Sequence, residues 1–400
     1  MAVPAPLKVD CRPLTDPATL ATDWQSLESR ADTSVFLSWL WIGVWLSVYK
    51  PSVSVLRVTR GALLVGLALI SITPERRHGL LVSRCLRLHQ TGQESQDQIW
   101  IEYNGFLAAT GEESPVGVAA MDYLQQKKSC EWDELILGAT DTNYANKLAS
   151  VSALVAHTRW HAPCYSVNLG SLSSIQNPSE GDDQDGQART QAYLNGYLKT
   201  LSSNTRHQIR RTHRLYEQEG TVRLERPQSL EQALEWFDRI GPAHRERWGT
   251  GSGQSGFANP DFLAFHRAMI RSHWASGGVD LIRVAAGEQT IARFYNLTYR
   301  NRVYFYLGGL KSEPDNRLKP GLLGHSLCIA DYAARGFALY DFMGGDDRYK
   351  AQLGVQHGEL VQVALQRDRL KLRFERLARV IKHRWVMREV EDVRRERGAG

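Results

Sequence analysis

Cysteine is scarce in this 400-residue chain: Cys11, Cys85, Cys130, Cys164 and Cys328 are odd in number, far apart and without a C-x-x-C pair. That excludes a disulfide framework, a redox dithiol and a zinc ribbon, and points to a reducing compartment. Apolar runs of membrane-spanning length are missing too. Val35 to Tyr49 imitates one, but fifteen uncharged residues fall short of the roughly 20 needed to cross a bilayer, and Lys50-Pro51 end the run. It reads as a buried helix with Trp39, Leu40, Trp41 and Trp45 turned inward, peripheral membrane contact being the lesser alternative. The first residues, MAVPAPLKVDCRPL, hold neither a charged nor an apolar signal region, so a cytoplasmic protein is expected. The twelve histidines include no H-E-x-x-H pair and no cluster with Cys at ligand spacing, so no metal is expected. Without a G-x-S-x-G elbow, serine hydrolysis has no starting point. Gly251–Gly256 fits G-x-G-x-x-G, but no apolar strand precedes it and Asn259-Pro260 follows. It reads as a flexible loop or lid, not a dinucleotide site.

Charge of one sign is also nearly absent outside the tail. Lys and Arg total 49 against 43 Asp and Glu, a net +6, and residues 367–397 alone contribute twelve cations and six acids. The remainder is close to neutral, so binding of polyanions belongs to local patches; no DNA partner is expected. In the tail, Leu370, Phe374, Leu377, Ile381 and Trp385 fall on one helical stripe. A long basic amphipathic helix over 367–400, docked on the second domain, is expected.

With 42% apolar and 23% charged residues, the chain can build two cores. The polar run 171–190 is expected to be a linker between domains 1–170 and 191–366. The first part reads as helices near 18–30 and 36–49, strands near 53–59, 62–70 and 79–88, a helix near 115–126, a strand at 134–138, a helix near 142–156 and a strand near 163–169. The second part repeats that order: helices, then strands 279–286, 290–299 and 303–307, a helix 322–335, a strand 339–343 and a last strand near 359–366. Gly287-Glu288 and Arg300-Asn301 supply the turns of an antiparallel meander, and the following helix returns the chain to a strand parallel to it. A duplicated α/β (α+β) architecture is expected, each unit a mixed, mainly antiparallel sheet flanked by helices.

Tyr304 to Lys350 carries most of the chemistry. A strand runs into Gly308-Gly309, a loop with Arg317 and Lys319, and Pro320-Gly321-Leu322-Leu323-Gly324 opening a helix. Unpaired backbone N–H groups, the dipole and close approach at glycine suit that helix start to a phosphate or pyrophosphate; loop punctuation is the ordinary alternative. After the next strand come Asp341, Asp346, Asp347, Tyr349 and Lys350. A carboxylate, a phenol and an ammonium can serve as base, oxyanion donor and acid, the set that the acyl transfer implied by the resemblance described next would need; the alternative is a helix cap with a surface ion pair. Arg206, Arg210 and Arg214 share a helix face that can clamp an anionic group of an acceptor, with solvation as the plain alternative. Arg293 and Tyr306, on meander strands, join as an acceptor-binding and a catalytic candidate.

Together, Leu318-Lys319-Pro320-Gly321-Leu322-Leu323, Ile329-Ala330, Arg335-Gly336, Tyr340-Asp341-Phe342-Met343-Gly344-Gly345, Asp346 and Tyr349-Lys350 resemble the CelD/BcsL-type branch of the GNAT acyltransferase superfamily, related to the FemAB peptidoglycan transferases. Ser203-Asn204, Arg206, Ile209-Arg210-Arg211, Arg214-Leu215, His244-Arg245, Arg247-Trp248 and Phe36, Trp39, Gly43, Trp45 match further upstream. Leu353 stands where an aromatic residue is expected. The resemblance implies two tandem GNAT-like domains and acetyl-CoA or another acyl-CoA as co-substrate. Arg317, Lys319, Gly321, Leu322, Leu323 and Gly324 would hold the donor's pyrophosphate, with adjacent strands splayed to admit its pantetheine arm. The first unit's corresponding loop, Ala108–Pro115, carries Glu112 and Glu113 where an anion would sit. The first unit is therefore expected to be degenerate and to help recognise a small-molecule, glycan or peptide acceptor, in polysaccharide or cell-envelope biosynthesis. Two rivals stand: a FemAB-like enzyme charged by aminoacyl-tRNA, and a non-catalytic scaffold subunit.

Overall fold

The computed structural model describes residues 5–78, 81–126, 131–172, 184–251 and 253–379. Cys130, residues 380–400 with Ile381 and Trp385, and most of the expected linker lie outside them. The elements in chain order are β1 (Leu7–Pro13), α1 (Pro17–Glu28), α2 (Trp39–Tyr49), β2 (Ser54–Arg60), β3 (Leu63–Arg77), β4 (Leu81–Leu88), α3 (Glu94–Asp97), β5 (Leu107–Ala108), α4 (Glu113–Gln126), β6 (Glu134–Asp141), α5 (Thr142–Ser150) and β7 (Val155–Asn168). They continue with α6 (Gln184–Thr200), α7 (Ser203–Glu217), β8 (Val222–Glu225), α8 (Leu230–Asp238), α9 (Gly241–Trp248), α10 (Pro260–His273), β9 (Val279–Ala286), β10 (Gln289–Tyr299), β11 (Arg302–Leu310), α11 (Pro320–Ala334), β12 (Leu339–Gly344), α12 (Arg348–Leu353) and β13 (Val355–Gln366).

Local chemistry sets most boundaries. Asp16 caps α1 by accepting from the Ala18 and Thr19 amides, with Pro17 in the first turn, and Asn259-Pro260 starts α10 the same way. In the second meander the turns fall at Gly287-Glu288 and Arg300-Asn301. Arg300 and Asn301 have φ of 48° and 59°, the left-handed pair that a two-residue hairpin turn needs. Several elements differ from the sequence reading: β1, β5 and α12 are additional, and α5 stops at Ser150 while β7 already begins at Val155. Of its fourteen residues, the stretch Val155–Ser166 pairs along β13, from Val155↔Gln366 to Ser166↔Val355, and this long ladder outweighs the helical bias of residues 151–156.

Among the described residues the strands form a single mixed sheet ordered β1-β2-β3-β4-β6-β13-β7-β12-β11-β10-β9-β8, with β5 added to β3. Each half contributes a meander and a crossover strand parallel to it, β4 with β6 and β11 with β12. The last strands are exchanged. β7 of the first half pairs with β12 of the second, and β13 lies between β6 and β7. That exchange joins the halves through backbone hydrogen bonds.

Helices α1 and α2 share one apolar cluster with α8 and α10, in which Trp24, Phe36, Trp41 and Trp45 are buried with Phe237, Phe265, Met269 and Tyr295. Trp39 and Leu40 are only partly buried against it. On the other face, α6, α7 and α11 cover the second half, and α4 and α5 the first. No described helix is long and apolar enough to cross a membrane. The tail corrects one expectation. Residues 370–379 are helical, but Leu370, Phe374 and Leu377 are 70%, 69% and 57% exposed. The opposite side docks instead, and on the first half. Leu372 is buried, Lys371 bonds Val82 O and Asp133, and Glu375 pairs with Arg77. A charged anchor thus fixes which face turns inward.

Candidate functional site

The parallel pairing of β11 with β12 is short. Arg302, Val303 and Tyr304 face Leu339, Tyr340 and Asp341, and there it stops. On its other edge β12 slips register against β7 between Asp341 and Gly344, where Met343 adopts φ 60°, a strained conformation for a side chain of that size. Beyond Tyr304 and Asp341 the two strands part, and a cavity of about 840 Å³ opens between them. One wall is Phe305–Gly308 and the other Phe342–Gly344; the first turn of α11, from Lys319 to Leu322, closes one end. Gln208 and Arg211 of α7 face that turn, while α9 adds His244, Arg247 and Trp248.

The α11 end suits an anion. Lys319 occupies the cap position without a side-chain cap bond, and Pro320 has no N–H. Leu323 N is the first amide bonded back to Lys319 O, so the Gly321 and Leu322 amides precede the intrahelical ladder. A Cβ on Gly321 would meet only Leu310, at 3.0 and 4.0 Å, so space lies above this amide. Thr212 fixes the loop to α7, donating to Arg317 O at 3.1 Å and accepting from Lys319 N at 3.2 Å. Arg211 Nε has no hydrogen-bond partner among the described residues although it is buried.

The inner end is polar in a different way. Lys350 is 6% exposed and its Nζ donates to Gly344 O at 2.6 Å; burial lowers its pKa despite Glu102, Asp347 and Asp341 nearby. Glu102 comes from the first half and accepts from Gly344 N at 2.9 Å. Burial pushes its carboxyl up to about 7, opposed by the Gly344 amide and Lys350. His325 stacks on Tyr349 with centroids 5.2 Å apart, and burial holds its imidazole uncharged, with a pKa of about 3. Tyr349 also lines the cavity, its phenol pKa raised by burial.

Glu102 reaches this position because the segment before β5 is threaded into the first half's own splay. β4 and β6 pair in parallel only from Cys85↔Glu134 to Arg87↔Ile136. Beyond them Asn104 fills the opening: its amide donates to Ala139 O and its Nδ2 to Leu88 O, both at 2.9 Å, while His89 Nδ1 meets its Oδ1 at 2.9 Å. A Cβ on Gly138 would lie 2.7 Å from Asn104 Nδ2, so only glycine admits this plug. Trp100 and Tyr103 take φ of 46° and 50°, and Tyr103 OH donates to Asp341 at 2.7 Å. Glu112 is paired with Arg60 at 2.7 Å, and Glu113 accepts from Gly111 N at 3.1 Å. In the first half, protein groups occupy the space that the second half leaves open.

The cavity includes Tyr306, Lys319, Pro320, Gly321, Leu322, Asp347, Tyr349 and Lys350 among the residues singled out by sequence. Others lie elsewhere. Asp341 is buried beneath the site, held by Tyr103 and by the Met343 amide at 2.7 Å. Asp346 is exposed, and Asp347 lines the cavity and pairs with Arg247 at 3.0 Å. Tyr306 has its hydroxyl engaged with Ile99 O. Arg317 is exposed and paired with Asp315 at 2.8 Å. Leu323 is in the core; Gly324 lets Phe294 approach, since a Cβ there would lie 2.7 Å from its ring. On α7, Thr205, Ile209, Thr212 and Tyr216 are the buried stripe. That leaves Arg210 and Arg214 exposed and Arg206 half-buried, with Gln208 and Arg211 at the cavity. Arg293 is half-buried beside Thr290 at 3.3 Å. Glu102, Trp100 and His325 carried no motif, whereas His244 stands in the His244-Arg245 stretch quoted for the resemblance. The residues of the G-x-G-x-x-G run that line the cavity are Gly253, Gln254 and Gly256.

Comparison with known proteins gives a matching result. No curated protein sequence matches significantly. Among solved structures, FemX superimposes with a TM-score of 0.53 at 11% identity, over 88% of this chain and 96% of that one. L-PGS from Bacillus licheniformis gives 0.46 at 10% identity, over 92% and 97%. A tandem GNAT protein from the clavulanic acid biosynthesis pathway gives 0.43 at 10% identity, over 89% and 98%. The family model described as "Acetyltransferase (GNAT) domain" matches residues 203–351, the stretch that runs from α7 through the splayed strands to α12. Residues 203–351 thus match a GNAT-superfamily acetyltransferase domain.

Proposed function

We propose that the protein is an acyltransferase that moves an acyl group, acetyl being the simplest, from a coenzyme A thioester to an amine or hydroxyl acceptor. The observation that carries this reading is the opening between β11 and β12 running into the uncapped start of α11. A donor with a diphosphate at one end and a thioester at the other needs both features in one line. The Gly321 and Leu322 amides would take the diphosphate, with Lys319 and Arg211 adding charge. The unpaired edge of β11 from Phe305 to Gly308 would accept the pantetheine amides, and its apolar walls would exclude water. Lys350 and Tyr349, at the far end, would meet the thioester and the oxyanion formed on it. The acceptor would enter past Trp100 and Trp248, which are 38% and 48% exposed at the cavity mouth.

Calorimetric titration with acetyl-CoA tests the reading. Saturable binding with a Kd in the micromolar range, about −8 kcal/mol, is expected at physiological salt. Absence of binding together with tight, salt-sensitive binding of aminoacyl-tRNA would replace the donor, since phosphate contacts release counterions and weaken steeply with salt. Binding of neither would leave a scaffold.

A further inference from the structure

We propose that the first half supplies the proton acceptor of the reaction: Glu102, delivered across the sheet by the plug that fills the first half's own cleft. The proposal rests on the acyl-transfer reading and adds to it a residue that no motif contains. Three independent placements support it. Glu102 lines the cavity beside Met343, Gly344, Tyr349 and Lys350. Its carboxylate is fixed there by the Gly344 amide, which also sets Lys350, since the same glycine's carbonyl accepts from Nζ. The segment holding it is over-determined by the Asn104 bonds and carries two left-handed non-glycine residues, strain that has no structural purpose in a loop free to relax. By contrast, the carboxylate adjoining Lys350 in sequence, Asp347, is tied to Arg247, and Asp341 is buried under Tyr103.

In the step, the acceptor's nitrogen or oxygen bonds to the thioester carbonyl carbon while its proton passes to Glu102. The carbonyl electron pair moves to the oxygen, facing Lys350 and Tyr349. Collapse re-forms the carbonyl with the pair held on oxygen and breaks the C–S bond; sulfur leaves with the C–S bonding pair and receives the proton that Glu102 took from the acceptor. The net change is transfer of the acyl group one way and of one proton the other. The groups that bear on Glu102 are Lys350 from α12, Asp341 from β12, Cys164 from β7, Tyr306 from β11, and Tyr103 and the indole of Trp100 in its own segment. Burial is the largest influence and places the carboxyl at about 7, so it is protonated in acid and competent as a base above neutrality.

The test compares wild type with Glu102→Gln, which keeps an oxygen for the Gly344 amide. Proteins labelled with 13C at glutamate carboxyls are titrated by NMR, acetyl-CoA binding is measured in both, and CoA release from acetyl-CoA is followed from pH 5 to 9 with ethanolamine as the probe acceptor. One carboxyl signal titrating near neutrality is expected, absent from the variant. Donor affinity should be unchanged, and release should fall at least about 100-fold with loss of the acidic limb of the pH profile. A folded-state pKa above the unfolded value means that this group's stabilisation is complete in acid and is lost as pH rises through 7. The variant should therefore melt higher than wild type at pH 8 and level with it near pH 4. A carboxyl titrating in the ordinary range, or wild-type release by the variant, overturns the role of Glu102. Failure of wild type to bind acetyl-CoA overturns the acyl-CoA reading instead, so the two failures are distinct.

Discussion

A Gly321→Glu variant is expected to fold normally and to lose acetyl-CoA affinity by at least about 100-fold, equivalent to about 3 kcal/mol. The two halves of that expectation have separate physical grounds. The position tolerates a side chain, because an added Cβ meets only a methyl of Leu310 at 3.0 Å, and a carboxylate in the first turn of α11 interacts favourably with the helix dipole. The same carboxylate would occupy the point where the Gly321 and Leu322 amides face the cavity, opposing a diphosphate by charge and by volume. Thermal melting and calorimetry on one preparation separate the effects. A folded variant with wild-type affinity would move the diphosphate away from α11.

Lys350→Met should cut turnover by roughly 10²–10⁴-fold while changing donor affinity little, as for a group used mainly in the transition state. Lys350 is almost fully buried and reaches Gly344 O at 2.6 Å, so the variant also leaves that carbonyl unpaired, at a cost of about 1–3 kcal/mol in stability. It further removes the cation that lowers the Glu102 carboxyl, so the acidic limb of the pH profile should move upward. That shift distinguishes a chemical role from a packing role, because lost packing alone would lower stability without moving the profile. Asp346→Asn is the comparison: its side chain is exposed and outside the cavity lining, and turnover within about twofold of wild type is expected, as for surface changes generally. Stopped or steady-state kinetics over pH 6–9 on both variants decide the matter.

The parts of this architecture that were legible in the sequence are those encoded locally. Arg300-Asn301 and Gly287 mark the second meander because hairpin turns demand left-handed residues, and both have the positive φ expected. Pro320-Gly321 marks the start of α11, the end of the cavity where the donor's diphosphate is proposed to bind. What was not legible depends on contacts far apart in the chain. The exchange of β7 and β13 follows from pairing residues some 200 positions apart (Val155 with Gln366), which no local pattern announces. Glu102 sits in an irregular segment whose conformation is imposed by Asn104 and Tyr103 reaching distant strands. The α7 arginines illustrate a readable signal that charge concealed. Thr205, Ile209, Thr212 and Tyr216 recur at i, i+4, i+7 and i+11 and are the buried face, which places Gln208 and Arg211 at its border. Reading the weakly apolar threonines as part of that stripe would have selected Arg211 over Arg206, Arg210 and Arg214. In the tail, the more apolar stripe faces outward because Glu375, on the other side, is held by Arg77.

The central claim is that one cleft, built by the second half and completed by a carboxylate from the first, holds an acyl-CoA for transfer. Structure determination of the protein with acetyl-CoA tests it most directly. The account predicts the diphosphate on the Gly321 and Leu322 amides, the pantetheine between Phe305–Gly308 and Phe342–Gly344, and the thioester carbonyl beside Lys350, with Glu102 facing the path of the acceptor. Acetyl-CoA bound elsewhere, with the opening between β11 and β12 vacant, would contradict it.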